Sequence, residues 1–142
     1  MDRLLKVLVV DDNQAARKML RGLLELSNFV EVVGEAGNGQ AAIEMSRVLH
    51  PDLVVMDADM PIMDGFAATK RLKVEGLAGR VIMVSSFGRA DVRHRAEMAG
   101  ADAFLDKESV AGEIVRAVAA EGRQRVPAEA EEYPGEAPPP AA

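Results

Sequence analysis

The sequence contains neither cysteine nor tryptophan, and none of its apolar runs is as long as a membrane-spanning helix. Without cysteine, the chain cannot form a disulfide scaffold, a thiolate zinc site or a cysteine nucleophile. Without an apolar run of ~20 residues, we expect no membrane span, and the early charge at Lys6 argues against a signal peptide. These absences predict a cytoplasmic protein.

The chain also lacks an excess of basic residues. Its net charge is −6, and four of its glutamates lie in residues 127–142, which contain no lysine or arginine. The rest of the chain has 19 acidic and 17 basic residues. Since nucleic-acid-binding proteins usually carry a basic excess, we predict no direct nucleic-acid binding.

Residues 127–142 differ in composition from the rest of the chain. They contain five of the seven prolines, and Tyr133 is their one large apolar side chain. Such a segment cannot bury enough apolar surface to offset the entropy lost on ordering. We therefore predict one folded domain over residues 1–126 and a disordered acidic Pro/Ala-rich tail over residues 127–142.

Short apolar runs alternate with helical patterns along the predicted domain. The predicted strands are Val7–Val10, Val30–Val33, Leu53–Met56, Val81–Val84 and Ala103–Leu105. Between them apolar residues follow helical spacing, as at Ala16, Met19, Leu20, Leu23 and Leu24. Five β-α units predict an α/β fold, a doubly wound parallel sheet with helices on both faces. Charges in or around the second and fifth runs favour edge positions, hence the flavodoxin-like strand order 2-1-3-4-5.

Polar residues lie at or just after the carboxyl ends of several of these strands. They are Asp11, Asp12, Asp57, Ser85 and Lys107. In a parallel sheet of this type, the carboxyl ends of the strands form the functional crevice, so these side chains should meet. Crowded carboxylates repel each other, and a hard cation with oxygen ligands, such as Mg²⁺, relieves that repulsion.

Each of these residues also has a simpler interpretation. An aspartate or serine after a strand is often a turn former or helix N-cap, and a single lysine is usually a solvated charge. The functional interpretation depends on finding all five at the appropriate strand ends.

The combined motifs resemble the receiver domain of bacterial two-component response regulators. The matching segments are Val7–Asp12, Asp52–Asp57, Met60–Pro61, Asp64–Gly65, Val81–Ser85 and Gly100–Lys107, and Val33–Gly39 resembles receivers linked to a helix-turn-helix. The similarity extends over about residues 4–122. No helix-turn-helix or catalytic domain is recognisable after Val126.

The resemblance implies that Asp57 accepts a phosphoryl group from a histidine kinase or phosphotransfer protein. Asp12, Asp57 and the backbone carbonyl of Asp59 would then coordinate Mg²⁺, and Asp11 would bind it through water. A carboxylate can hold a phosphoryl group as an acyl phosphate, which is consistent with this role. Lys107 would pair with the phosphoryl oxygens.

The resemblance also implies a switch. Ser85 would donate a hydrogen bond to the phosphoryl group, and Phe104, three residues before Lys107, would move into the space behind it. An ordinary core position on an edge strand is the alternative for Phe104. The output surface would comprise the fourth helix, near Arg89–Ala99, with the fifth strand and fifth helix. It would bind an output protein or a second copy of the chain.

Two residues near the acceptor are candidates for setting the lifetime of the phosphorylated state. Asp59 lies two residues after Asp57, and Phe87 lies two residues after Ser85. An exposed loop acid is the alternative for Asp59.

Two other functions remain open from the sequence. Asp57 and Asp59 resemble the nucleophile and acid/base pair of haloacid-dehalogenase phosphatases, although the chain has no room for a substrate-recognising cap. A receiver-like binding module that signals without phosphate is the second alternative. The preferred interpretation is a signalling domain that catalyses its own phosphotransfer and slow dephosphorylation and is otherwise not an enzyme.

Overall fold

A computed structural model describes residues 3–86 and 90–125. Strands and helices alternate: β1 Leu5–Val10, α1 Gln14–Glu25, β2 Val30–Ala36, α2 Gly39–Leu49, β3 Leu53–Asp57, α3 Gly65–Val74, β4 Arg80–Ser85, α4 Ala90–Ala99, β5 Ala103–Asp106 and α5 Val110–Arg125. Phe87, Arg89 and the predicted tail lie outside the described residues. No helix in the described ranges is long and apolar enough to cross a lipid bilayer.

The strands form one parallel sheet in the order β2-β1-β3-β4-β5. This is the predicted order, and β2 and β5 are the edges as expected. Asp57 pairs with Val84 across β3 and β4, and Ser85 pairs with Asp106 across β4 and β5. The register therefore places the carboxyl ends of β3, β4 and β5 side by side at the same end of the sheet.

β2 continues three residues beyond the predicted run, through Gly34 and Glu35 to Ala36. The prediction stopped at Val33 because glycine and a charge usually interrupt strands. Here a β-carbon on Gly34 would lie 2.8 Å from Met45 Cε of α2, so the glycine allows the helix to approach. The Glu35 carboxylate pairs with arginines of α1, and its charge is thus compatible with an edge strand.

Polar side chains cap the N-termini of the first three helices, which follow the carboxyl ends of the strands. Asn13, Asn38 and Asp64 each accept a hydrogen bond from a backbone N–H three residues further on. These N-caps satisfy backbone donors that have no partner inside the helix. They also determine where each loop from strand to helix ends.

Two apolar layers cover the sheet. One contains Val7, Val9, Val55 and Ile82 with α1 and α5, and the other lies under α2, α3 and α4. Met19 lies in α1, as its helical spacing predicts, but its side chain is 42% exposed and lies outside the buried stripe. The buried stripe centres on Leu20 and Leu24, and successive helical residues diverge by about 100°.

Candidate functional site

The Asp57 carboxylate is the last side chain of β3 and is only 2% exposed. Its Oδ1 lies 3.3 Å from the Lys107 ammonium and accepts a hydrogen bond of 3.4 Å from the Asp59 N–H. Its Oδ2 is buried and has no hydrogen-bond partner within the described residues. An oxygen buried in this way normally has a partner, so it is the atom most in need of a ligand.

Two further carboxylates follow β1. Asp11 is buried; its Oδ1 accepts the N–H of Asn13 at 2.9 Å, and its Oδ2 lies 3.3 Å from Lys107 Nζ. Asp12 is exposed. One carboxylate oxygen from each of Asp11, Asp12 and Asp57 lies within 4.8 Å of the others. The sequence therefore predicted correctly that these three acids meet.

The arrangement fits a hard divalent cation. Three carboxylates each offer an oxygen ligand to one site, and one of them, Asp57, has a buried oxygen without a hydrogen-bond partner in the described residues. Mg²⁺ in proteins is typically bound by one or two carboxylates and retains several waters. Because Asp12 is exposed, water can reach the ion at this site. Asp59 has an exposed side chain, and the role predicted for its backbone carbonyl stays a prediction.

Lys107 connects the last two strands to the pocket. It follows β5, and its backbone N–H donates to the backbone carbonyl oxygen of Ser85 at 2.7 Å. This bond ties the ends of β4 and β5 together while the ammonium reaches both Asp11 and Asp57. Ser85 is buried, and the pairing of β3 with β4 sets it beside the Asp57 end of the sheet.

The pocket holds more negative than positive charge. Burial, together with the nearby Asp11 carboxylate, raises the pKa of Asp57 to about 6, although Lys107 acts in the opposite direction. Burial opposes the charged form of Lys107, but Asp57 and Asp11 outweigh it and hold the lysine pKa above its ordinary value. Lys107 thus remains an ammonium, and Asp57 is an unusually basic carboxylate.

Gly65, the first residue of α3, has a structural role that the sequence alone does not predict. A β-carbon there would collide with the carbonyl oxygen of Asp57, and the Gly65 N–H donates to the Ala58 carbonyl at 2.9 Å. Only glycine lets the helix begin this close to the end of β3. Asp64–Gly65 contributes to the family resemblance, but this contact depends on the path of the loop between β3 and α3.

Phe104 lies on β5, partly buried against the layer under α4. The Arg93 guanidinium lies 4.9 Å from the centre of its ring, and Arg95 lies 4.1 Å from the ring of Phe66 on α3. Both arginines belong to α4, whose small apolar stripe contains Ala96. Two arginine–aromatic contacts therefore supplement the limited apolar attachment of this helix.

Comparisons with known proteins agree on one family. The family model described as "Response regulator receiver domain" matches residues 7–119. The chain is 41% identical to the chemotaxis protein CheY of Halobacterium salinarum over 102 residues, covering 72% of this chain and 83% of that protein. The signal receiver domain of the putative response regulator NarL from Mycobacterium tuberculosis superposes with a TM-score of 0.82 at 34% identity, covering 87% of this chain and 100% of that domain.

A longer relative matches in part. The chain is 42% identical over 106 residues to protein-glutamate methylesterase/protein-glutamine glutaminase 1 of Syntrophomonas wolfei, covering 73% of this chain but only 30% of that enzyme's length. The family model and the CheY relative both extend across most of the α/β domain described above. The chain belongs to the response regulator receiver domain family.

Proposed function

We propose that Asp57 accepts a phosphoryl group from a histidine kinase or phosphotransfer protein in a Mg²⁺-dependent reaction. The observation that carries this proposal is the buried Asp57 carboxylate, which groups with two further carboxylates and has one oxygen, Oδ2, without a hydrogen-bond partner in the described residues. A structural aspartate this deeply buried would normally have its oxygens satisfied.

The transfer needs one nucleophile and a suitable electrostatic environment. A carboxylate oxygen of Asp57 attacks the phosphorus of a phosphohistidine, and the phosphorus–nitrogen bond breaks with its electron pair on the imidazole nitrogen. That nitrogen then takes a proton from solvent, and Asp57 holds an acyl phosphate. Lys107 lies 3.3 Å from Asp57 and is placed to neutralise charge on the phosphoryl oxygens.

Mg²⁺ would be held by Asp12, Asp57 and the Asp59 carbonyl, and by Asp11 through water. When bound, it supplies charge neutralisation and orientation for the transferred group. The protein residues contribute by holding the three carboxylates together before the donor arrives, so that little reorganisation is needed during transfer.

We infer a switch that begins at Ser85 and ends at α4. A hydrogen bond from the Ser85 hydroxyl to the phosphoryl group would open space behind it for the Phe104 ring. Because Arg93 contacts that ring, its movement would alter the attachment of α4. The surface formed by α4, β5 and α5 would then bind an output protein or a second copy of the chain.

The lifetime of the phosphorylated state is proposed to depend on Asp59 and Phe87. Asp59 is exposed beside the acceptor, where its carboxylate would act on the water that hydrolyses the acyl phosphate. Unchanged dephosphorylation rates in both Asp59→Asn and Phe87→Ala would contradict this role.

These properties describe a cytoplasmic signalling domain of residues 1–126, with residues 127–142 as its acidic tail. Its chemistry is limited to phosphorylation of its own aspartate and slow hydrolysis of the product, without turnover of a substrate. It acts through protein contacts and does not itself bind nucleic acid.

Incubation of the full chain with acetyl phosphate and Mg²⁺ tests the proposed function. We expect one phosphoryl group per chain, lost in Asp57→Asn and on chelation of Mg²⁺. Repeated turnover of a small ester such as para-nitrophenyl phosphate would support the haloacid-dehalogenase alternative. Failure to bind Mg²⁺ and beryllofluoride would support a module that signals without phosphate.

A further inference from the structure

We propose that Arg17 is a positioning residue for the Mg²⁺ ligand Asp12. The inference rests on the proposed function, since it concerns the same acidic pocket. Arg17 lies in the first turn of α1, and its side chain is 19% exposed. It does not touch the carboxylates of the pocket in any hydrogen bond or ion pair that the described residues form.

The Arg17 guanidinium joins the end of β1 to β2. One terminal nitrogen donates to the backbone carbonyl oxygen of Asp11 at 2.7 Å, and Nε donates to a carboxylate oxygen of Glu35 at 3.1 Å. Glu35 lies on β2, so the guanidinium is held from outside the pocket while it holds the Asp11 carbonyl. A planar group with fixed N–H directions suits this double contact.

Asp12 depends on this contact more than Asp11 does. The Asp11 carboxylate is held at one oxygen by the Asn13 N–H and at the other by Lys107. The Asp12 carboxylate forms no hydrogen bond or ion pair with residues 3–86 or 90–125. Its position is therefore determined by its own backbone.

The peptide between Asp11 and Asp12 transmits the effect. The carbonyl oxygen of Asp11 and the α-carbon of Asp12 lie in one nearly rigid peptide plane. When Arg17 fixes the orientation of that oxygen, it also fixes the N–Cα bond of Asp12 and so narrows the range of positions open to the Asp12 side chain. Loss of Arg17 would let the plane rotate and would spread the Asp12 carboxylate over more positions.

Electrostatics alone predicts the opposite result. Arg17 is a positive charge near a site for a divalent cation, so its removal should strengthen Mg²⁺ binding through Coulomb attraction. A positioning role predicts weaker binding. The sign of the change in Mg²⁺ affinity therefore separates the two effects.

Arg21 provides a matched control. It lies one turn further along α1 and donates to the same Glu35 carboxylate at 2.8 Å. Its other contacts are with Glu25 and the Val32 carbonyl, and neither belongs to the pocket. Arg21→Gln therefore removes an arginine paired with Glu35 and leaves the Asp11 carbonyl with its Arg17 partner.

The experiment is calorimetric titration of Mg²⁺ into the unphosphorylated full chain. We expect Arg17→Gln to raise the Mg²⁺ Kd ~10-fold, as loss of a residue that orients a metal ligand typically does, and Arg21→Gln to change it by less than about twofold. Arg17→Lys should fall between the wild type and Arg17→Gln, because one ammonium cannot span both contacts as the guanidinium does.

Thermal unfolding in EDTA accompanies each titration and measures stability without metal. Similar losses of stability in Arg17→Gln and Arg21→Gln, with weaker Mg²⁺ binding only in the Arg17 variants, support the proposal. Unchanged or tighter Mg²⁺ binding in Arg17→Gln and Arg17→Lys overturns it. If the wild type itself binds no Mg²⁺, the proposed function fails before the role of Arg17 is reached.

Discussion

Asp57 lies at the carboxyl end of β3 and Asp102 directly before the amino end of β5, and their surroundings differ in one essential respect. The Asp102 carboxylate accepts hydrogen bonds from Lys73 Nζ at 2.8 Å, Arg80 at 2.9 Å and the Val81 N–H at 2.8 Å. Burial acts to raise its pKa, but these donors outweigh burial and hold the pKa below its ordinary value. Burial and Asp11 instead raise the pKa of Asp57 to about 6.

The difference separates a structural carboxylate, Asp102, from the carboxylate that we propose accepts the phosphoryl group. Asp102 links α3, β4 and β5 through donors that favour its charged form, so its ionisation stabilises the fold. Asp57 must be charged in a place that disfavours charge, so its ionisation costs stability. Groups kept in such unfavourable states are common at functional sites, where a ligand relieves the strain.

The largest effect on stability is expected from Asp102→Asn. Lys73 would lose its charged partner, and Arg80 would keep only the more distant Glu121 at 3.9 Å. Breaking a partly buried ion pair on one side costs ~2–4 kcal/mol of unfolding free energy. Urea denaturation measures the loss. Phosphorylation by acetyl phosphate under native conditions should remain stoichiometric. A loss below about 0.5 kcal/mol, typical of a surface substitution, would contradict the structural role.

A gain in stability is expected from Asp57→Asn. The amide removes a charge from a crowded acidic pocket, and the full pKa shift corresponds to at most ~3 kcal/mol. Because the pocket opens to water at Asp12, we expect about 1–2 kcal/mol near pH 8 in metal-free buffer. Urea denaturation of both proteins in EDTA measures the difference. A variant less stable than the wild type would contradict it.

The pH dependence of that gain follows from the direction of the pKa shift. The native Asp57 carboxyl has a pKa of about 6, against an ordinary value of 3.8. Between these values the native state binds more protons than the unfolded state, so wild-type stability falls as pH rises. The advantage of Asp57→Asn should therefore be complete above pH 6 and absent below about pH 4. Unfolding curves at several pH values test the profile, and an advantage that persists below pH 4 would point to packing instead of charge.

The smallest expected effect is stabilisation by Mg²⁺. At five times its Kd, an ion that binds only the native state adds about 1 kcal/mol to the free energy of unfolding. The wild type and Asp102→Asn should gain equally, whereas Asp57→Asn should gain less because it has lost a ligand. Melting temperatures with and without Mg²⁺ provide the measurement. Equal gains in all three proteins would place the ion elsewhere.

Much of the site was predictable because the last residues of parallel strands lie at the same end of the sheet. Asp11, Asp12, Asp57 and Lys107 could be grouped from their strand ends alone, and the structure brings them together. The order of the strands followed from where charges interrupt the apolar runs. These predictions use periodicity and strand ends, which are local properties of the sequence.

The contacts made by loops could not be predicted in this way. Glycine is required at position 65 because the loop after β3 brings the start of α3 against the Asp57 carbonyl. The contact of Arg17 with the Asp11 carbonyl depends on the orientation of α1 relative to the end of β1. The extension of β2 through Gly34 depended on a close approach by α2. In each case the contacting residue belongs to a different part of the fold, so local patterns in the sequence do not predict the contact.

The most direct test of the central claim is to locate the phosphoryl group on the chain. The full chain is phosphorylated with acetyl phosphate and Mg²⁺, the acyl phosphate is reduced with borohydride, and the modified peptide is identified by mass spectrometry. We expect one modification per chain, at Asp57, and none in Asp57→Asn. Modification at Asp11, Asp12 or Asp59, or equal labelling of Asp57→Asn, would contradict it.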